Sequence, residues 1–228
     1  MSVQQVNDKQ RVALHAAARV QHDMIVGLGT GSTANYFIAE LARKKREEGL
    51  NITTVASSVV STRIAEQMGL DLVAIEHLSN IDLYVDGADE VSPQMALLKG
   101  RGSDLVREKL LAKASDQFFV LVDNSKLVER IGENYPIPIE VAPFCWQLVL
   151  KSVQQIGGEG MLRANGDGLA VSSHGSLILD MTFDVGINSQ DLNDQLNAIP
   201  GIVEHGIFEQ LATAIFIGEN EQVTQQLK

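Results

Sequence analysis

Four short stretches carry residue types at spacings that chemistry can use. Asp82-Leu83-Tyr84-Val85-Asp86-Gly87-Ala88-Asp89-Glu90 holds four carboxylates in nine residues. Asp86 follows an apolar run, and in open parallel sheets ligands bind just beyond the strand C-termini. Such a set suits proton transfer; turn-forming aspartates and helix caps are the alternative reading. Magnesium can arrive with a phosphate substrate as a chelate, but no histidine lies nearby, which disfavours a resident metal. Lys99-Gly100-Arg101-Gly102-Ser103-Asp104-Leu105-Val106-Arg107-Glu108-Lys109 is a glycine loop opening a helix, with a lysine in front. Lys99 suits an anionic oxygen as a point charge. Glu108 is either a general base or a surface glutamate paired with Arg or Lys. Gly27-Leu28-Gly29-Thr30-Gly31-Ser32-Thr33 is a second glycine loop between an apolar run and a helix. Backbone N–H groups and the helix dipole make such a loop suit a phosphate; a tight turn with a cap fits it equally. It is not the dinucleotide fingerprint, because Ser32 stands where the third glycine belongs. No Gly-Lys-Ser/Thr follows, so it is not a P-loop. Val122-Asp123-Asn124-Ser125-Lys126 is again polar after an apolar strand. Together these loops support one site for a small phosphorylated metabolite.

The elements that must hold these loops follow from periodicity. Helical spacing predicts helices over about 5–21, through Tyr36, Phe37, Ile38 and Leu41 to the charge run Arg43–Glu48 and Gly49, and over 60–68 and 103–114. Apolar runs predict strands at Met24–Val26, Ile52–Ala56, Leu72–Ile75, Leu83–Val85 and Phe118–Val122. Strands alternating with helices indicate a Rossmann-like parallel sheet with helices on both faces. Near Tyr135 the character changes. An extended Pro136–Val141, a helix over 143–156, strands near 160–164 and 177–181, a helix over 189–198 and a strand at Ile202-Val203 follow. That order is the ferredoxin-like, split βαβ arrangement. The expected organisation is an α/β main domain of 1–131 plus 207–228, with an inserted small α+β domain of 132–206. A last strand, Thr213–Ile217, is expected to rejoin the main sheet. A cleft between domains is a common place for a site.

Composition narrows the function classes. The 228 residues are 45% hydrophobic and 21% charged, as in a globular chain. A formal charge of −11 is the opposite of a duplex-binding footprint, so nucleic acid is not the expected partner. No apolar run reaches the roughly 18 residues of a membrane span, and MSVQQVNDKQR lacks the apolar core of a signal peptide. One cysteine, Cys145, excludes an intrachain disulfide and fits a reducing cytoplasm. The five histidines are scattered, without a zinc-like spacing.

At the quoted loops the sequence resembles ribose-5-phosphate isomerase of the A type, over nearly the whole chain. The carrying segments are Gly27–Ala34, Tyr84–Glu90, Lys99–Gly102 with Arg107-Glu108-Lys109, Asp123–Lys126 and Asn197–Val203. The resemblance implies interconversion of ribose 5-phosphate and ribulose 5-phosphate in the pentose phosphate pathway, with no cofactor and no metal. It implies substrate contacts from Thr30, Gly31, Ser32 and Thr33, from Asp86, Gly87, Ala88 and Asp89, from Lys99, Gly100, Arg101 and Gly102, and from Lys126. Glu108 matches the family's catalytic base, and a homodimer is the family's usual state, with tetramers also found. The chemistry is coherent with these residue types. A carboxylate over a planar intermediate takes a proton from carbon 2 and delivers it to carbon 1, as the glutamate of triosephosphate isomerase does. Lys99 and loop N–H groups would stabilise the cis-enediolate. Asp86 and Asp89 would bind sugar hydroxyls, one of them aiding ring opening. Either the phosphate or the other end of the sugar can meet the Thr30–Thr33 loop. Arg101 stands where many members have glycine, and Asp104 where a small apolar residue is expected. Asp104 is expected to face solvent.

Two rivals remain. A sugar-phosphate sensor of the same fold would need a DNA-binding module, and only about 23 residues precede the first strand. A coenzyme A transferase relative would use a glutamate nucleophile and need room for a long cofactor. Neither accounts for the loops together.

Overall fold

The computed structural model describes residues 7–184 and 186–228. The chain divides into two units, and strands and helices are numbered along it. The first unit takes the chain up to Ala88, Arg107–Lys126 and Leu211–Lys228; the second takes Asp89–Val106 and Leu127–Gln210.

In the first unit, α1 is Asp8–Ala17, β1 Ile25–Leu28, α2 Ser32–Glu48, β2 Thr53–Ala56, α3 Val59–Gln67 and β3 Ile81–Asp86. Strand β6 is Ser115–Asp123, β14 Ala214–Glu219 and β15 Gln222–Leu227. The sheet runs β15-β14-β6-β3-β1-β2. All its pairs are parallel except the β14–β15 hairpin at one edge. Its apolar side chains (Val26, Leu28, Leu83, Val85, Phe119, Leu121, Phe216) pack with Val12 and Ala16 of α1 and Phe37, Ile38 and Leu41 of α2. Each large side chain buried in this way contributes on the order of 1.5–3 kcal/mol. That packed floor holds the C-terminal ends of β1 and β3 side by side, with Leu28 opposite Val85.

The second unit contains two sheets besides a small β hairpin. Strand β7 is Ile137–Val141, β8 Glu159–Leu162, β11 Leu177–Thr182 and β12 Ile202–His205, with helices α5 (Trp146–Gln155) and α6 (Ser189–Asn197) between them. The antiparallel order β12-β7-β11-β8 is that of the split βαβ unit. Leu192 and Leu196 of α6 and Val149 and Val153 of α5 cover Ile139, Leu179 and Met181. Strand β4 (Glu90–Val91), β5 (Leu97–Leu98) and β13 (Ile207–Phe208) form a three-stranded sheet. This pairing places residues 89–106 in the same unit as 132–206. Ala164–Asn165 (β9) and Gly168–Leu169 (β10) form the hairpin. Helix α4, Leu105–Ala114, belongs to the first unit from Arg107 onward.

Several boundaries differ from the sequence reading. The helix expected over 5–21 spans Asp8–Ala17, with residues 5 and 6 outside the described ones. It ends because Arg19 and Val20 switch to i−3 bonds before the turn at Asp23 (φ 65°). Gly27 and Leu28 continue β1, paired with Tyr84 and Val85, so the loop starts at Gly29. The strand expected at Leu72–Ile75 is one bridge between Leu72 and Thr54, followed by a 3₁₀ turn at Ile75–His77. Strands β4, β5 and β13 are too short to give a periodic signal, and β15 (Gln222–Leu227) is mostly polar because it is a half-solvated edge.

Candidate active site

The loop after β1 is built around Asp86, the last residue of β3 and 1% exposed. Its Oδ1 accepts from the backbone N–H of Thr30 (3.1 Å) and of Gly87 (2.7 Å). Its Oδ2 accepts from the Tyr84 hydroxyl at 2.5 Å. Gly29 must be glycine, because a Cβ there would overlap the Asp86 carboxyl. The chain then turns at Gly31 into α2, whose first turn has no side-chain cap. Uncapped N–H groups, the helix dipole and the exposed Ser32 leave a place for an anion. Lys9 of α1 brings an amine within 3.3 Å of Ser32 Oγ, and among the described residues it forms no ion pair. The Thr30 hydroxyl turns the other way, toward the Ser57, Ser58 and Ser61 hydroxyls at 3.1, 2.7 and 3.4 Å. Ser58 and Ser61 are also the capping box of α3.

Glu108 is 5% exposed on α4. Its neighbour Arg107 donates to the Ala56 carbonyl at the end of β2 (3.0 Å). Glu108 and Asp86 both act on the fully buried Tyr84, and burial together with these two charges pushes the phenol well above its ordinary value. Thr30–Thr33, Asp86–Ala88 and Glu108 thus belong to one unit, as does Lys126 on the 3₁₀ turn Asn124–Lys126 after β6. Asp123 caps that turn by accepting from Ser125 N at 3.0 Å.

The other expected residues belong to the second unit. Lys99 is 4% exposed, its amine 5.7 Å from the Phe208 ring centre, and its N–H donates to the Gly206 carbonyl. The Gly100–Ser103 turn is exposed at Arg101 and Gly102. Arg101 N approaches Asp89 Oδ2 at 3.4 Å, and its guanidinium stacks on Tyr135 at 4.4 Å. A cavity of about 290 Å³ is lined by Arg101, Tyr135, Pro136, Arg163 and Asp180. Arg163 is committed there: it grips Asp180 at 2.6 and 2.8 Å and donates to Gly100 O and Ser103 Oγ. Asp104 is half-buried and accepts from the Ser173 hydroxyl, rather than standing in water as expected. Glu90, fully buried, accepts from three backbone N–H groups (Gly132, Asn134, Tyr135), which is a structural role.

The sequence reading missed Lys9, the Ser57-Ser58…Ser61 group, Tyr84 and Arg163. The serines had a usable signal: they are polar residues after an apolar strand, like the loops that were found. Tyr84 had none, since inside Leu83-Tyr84-Val85 it reads as core. No group of three or more His, Cys, Asp or Glu among the described residues is placed to hold a metal ion. No helix among them is long and apolar enough to cross a membrane.

Fold and loops together define an α/β protein with an uncapped helix N-terminus after β1 and buried carboxylates beside it. The family model for ribose 5-phosphate isomerase A (phosphoriboisomerase A) matches residues 53–222. A ribose-5-phosphate isomerase A from Thermosynechococcus vestitus is 41% identical over 214 residues, 92% of this chain and 91% of that one. The solved structure of ribose 5-phosphate isomerase A from Methanocaldococcus jannaschii superposes with a TM-score of 0.92 at 34% identity, covering 97% of this chain and 98% of that one. A D-ribose-5-phosphate isomerase in complex with phospho-erythronic acid superposes at 0.93 with 33% identity, covering 97% and 98%. The chain belongs to the ribose 5-phosphate isomerase A family.

Proposed function

We propose that this chain interconverts ribose 5-phosphate and ribulose 5-phosphate through a cis-enediolate, with Glu108 as the base. The observation that carries the reading is within one unit: two buried carboxylates, Asp86 and Glu108, act on the same buried phenol at the end of β3. One of the two serves each chemical step. Asp86 opens the furanose. It takes the proton of the carbon 1 hydroxyl and returns it to the ring oxygen as the C1–O4 bond breaks, leaving the aldehyde. Glu108 then removes the carbon 2 proton, the O2 proton passes to O1 within the enediolate, and Glu108 delivers its proton to carbon 1, leaving the ketone at carbon 2. Lys99 and the loop N–H groups stabilise the enediolate oxygens. The Ser32 end of α2, with Lys9, takes the phosphate, and that binding energy fixes carbon 2 over the base. Asp89, the Gly100–Gly102 backbone and Lys126 contact the remaining oxygens. The relative bound to phospho-erythronic acid, a phosphorylated sugar acid, supports a ligand of this class.

The test is isomerisation by EDTA-treated wild type and Glu108→Gln. Loss of about 10²–10⁴-fold in kcat, with KM and circular dichroism kept, is the expected result. An active variant would move the base to another group; an inactive wild type that still binds the sugar phosphate would favour the sensor reading. The enzyme is taken to work as a cytoplasmic homodimer. The lone cysteine fits a reducing compartment, and Phe144 and Leu148, 92% and 71% exposed, supply apolar surface for a second copy. Light scattering on the purified chain checks the assembly.

A further inference from the structure

Tyr84 takes no part in the steps above, yet it is fully buried two residues before Asp86. Its position is heavily determined. In β3 it pairs with Gly27 of β1, where a Cβ would meet the Tyr84 ring at 2.7 Å; glycine there leaves the room the ring occupies. On the other side the ring stacks on Phe118 of β6, with centres 4.9 Å apart and planes 20° apart. Held between two strands, the ring has one direction for its hydroxyl, which donates to Asp86 Oδ2 at 2.5 Å. The Ser57 hydroxyl, which meets the Thr30 hydroxyl at 3.1 Å, also lies close enough to the phenol to act on it, so Tyr84 stands between the serine group around Thr30 and the carboxylate that Thr30 N–H binds. The charged groups acting on the phenol are Asp86 and Glu108. An ionised phenol would be a further negative charge between two carboxylates in a buried place, so the hydroxyl keeps its proton and remains a donor.

We infer that Tyr84 is a positioning residue for ring opening: its hydroxyl, with the N–H groups of Thr30 and Gly87, aims the Asp86 carboxylate at the carbon 1 hydroxyl of the closed sugar. The inference rests on the reading of Asp86 given above. A bond of this kind to a charged group is short, strong and directional. Without it Asp86 would keep these two backbone donors on Oδ1 and lose the phenol donor on Oδ2. The enediolate step belongs to Glu108 and does not need Asp86 to be aimed.

The two steps can be read separately. Ribulose 5-phosphate is an open chain, so exchange of its carbon 1 hydrogen with deuterated water needs the base and no ring opening. In Tyr84→Phe, isomerisation of ribose 5-phosphate should fall about 10- to 100-fold, while carbon 1 exchange stays within about threefold. The double variant Tyr84→Phe/Asp86→Asn should be no slower than Asp86→Asn alone, because one acts through the other. Equal loss of isomerisation and exchange, or additive losses in the double variant, would overturn the inference and leave the isomerase reading standing. Full isomerisation by Asp86→Asn would instead overturn the ring-opening reading of Asp86. Should Tyr84→Phe not keep its fold, 3-fluorotyrosine at position 84 keeps the ring and its hydroxyl and makes that hydroxyl more acidic. An isomerisation rate that shifts while exchange does not supports the inference, and an unchanged rate overturns it.

Discussion

Two carboxylates are equally hidden and treated in opposite ways. Asp86 in the first unit is 1% exposed and Glu140 in the second is 0% exposed. Asp86 accepts from two backbone N–H groups and a phenol. Glu140 faces the Ser172 and Ser176 hydroxyls and the Val106 N–H, but no contact is close and straight enough to count as a hydrogen bond. Burial therefore pushes the Glu140 carboxyl above its ordinary 4.5, with those donors and His174 only partly offsetting it. The difference comes from place. Asp86 ends a parallel strand, where the N–H groups of the following and neighbouring loops are unspent. Glu140 lies within β7, flanked on both sides by β11 and β12, where the ladder uses the backbone donors. A strand end can hold a buried carboxylate; a strand middle leaves it short of donors.

Two substitutions sharpen or break this contrast, and a third tests the exposed turn of the second unit. The largest effect is expected from Asp86→Ala. It strands the buried Tyr84 hydroxyl and the part-buried N–H groups of Thr30 and Gly87 at about 1–3 kcal/mol for a fully buried donor and less for the others, so denaturant unfolding should show a loss of about 2–4 kcal/mol. A loss under about 1 kcal/mol would mean that water replaces the carboxylate and that the strand end is not special. Glu140→Gln should move the other way. The folded state holds the Glu140 proton more tightly than the unfolded chain, so stability declines as pH rises from 4.5 through the raised value. At pH 7 to 8 the wild type carries the full deficit, and the amide variant should melt at a higher temperature. The difference should close toward pH 4, where both side chains are neutral. A variant that melts lower at neutral pH would show that the carboxylate form is needed there. The smallest effect is expected from Arg101→Gly, since an exposed cation–π contact contributes about 0.5–1 kcal/mol and the turn backbone remains. KM for ribose 5-phosphate should change by less than about threefold, which corresponds to under 1 kcal/mol. A tenfold rise would give the Arg101 side chain a direct place on the substrate.

The legible part of the site was the part written in one stretch of chain. An apolar run followed by glycine and hydroxyls marked Thr30–Thr33, and the same logic marked Asp86–Asp89, Lys99–Gly102 and Asp123–Lys126. Helix α2 appeared at its expected place because its buried face repeats at helical spacing, Ala34, Phe37, Ile38, Leu41. Lys9 and Arg163 were not legible, because each reaches residues far along the chain, Ser32 in one case and Gly100 and Ser103 in the other. Glu140 looked like one polar residue in an extended segment, with nothing local to show that both faces of that segment are covered.

Local sequence determined the alternation of strands and helices, the glycine turns, the caps and the residue types at each strand end, since these depend on neighbours a few positions away. The tertiary structure alone decided which donors each carboxylate meets. Asp86 is held by Thr30, 56 residues earlier, and Tyr84 is seated by Gly27 and Phe118 on the two adjacent strands. Hydrogen bonds and burial depend on distances in space. Strand order sets those distances, and no spacing along one strand records which strands will flank it.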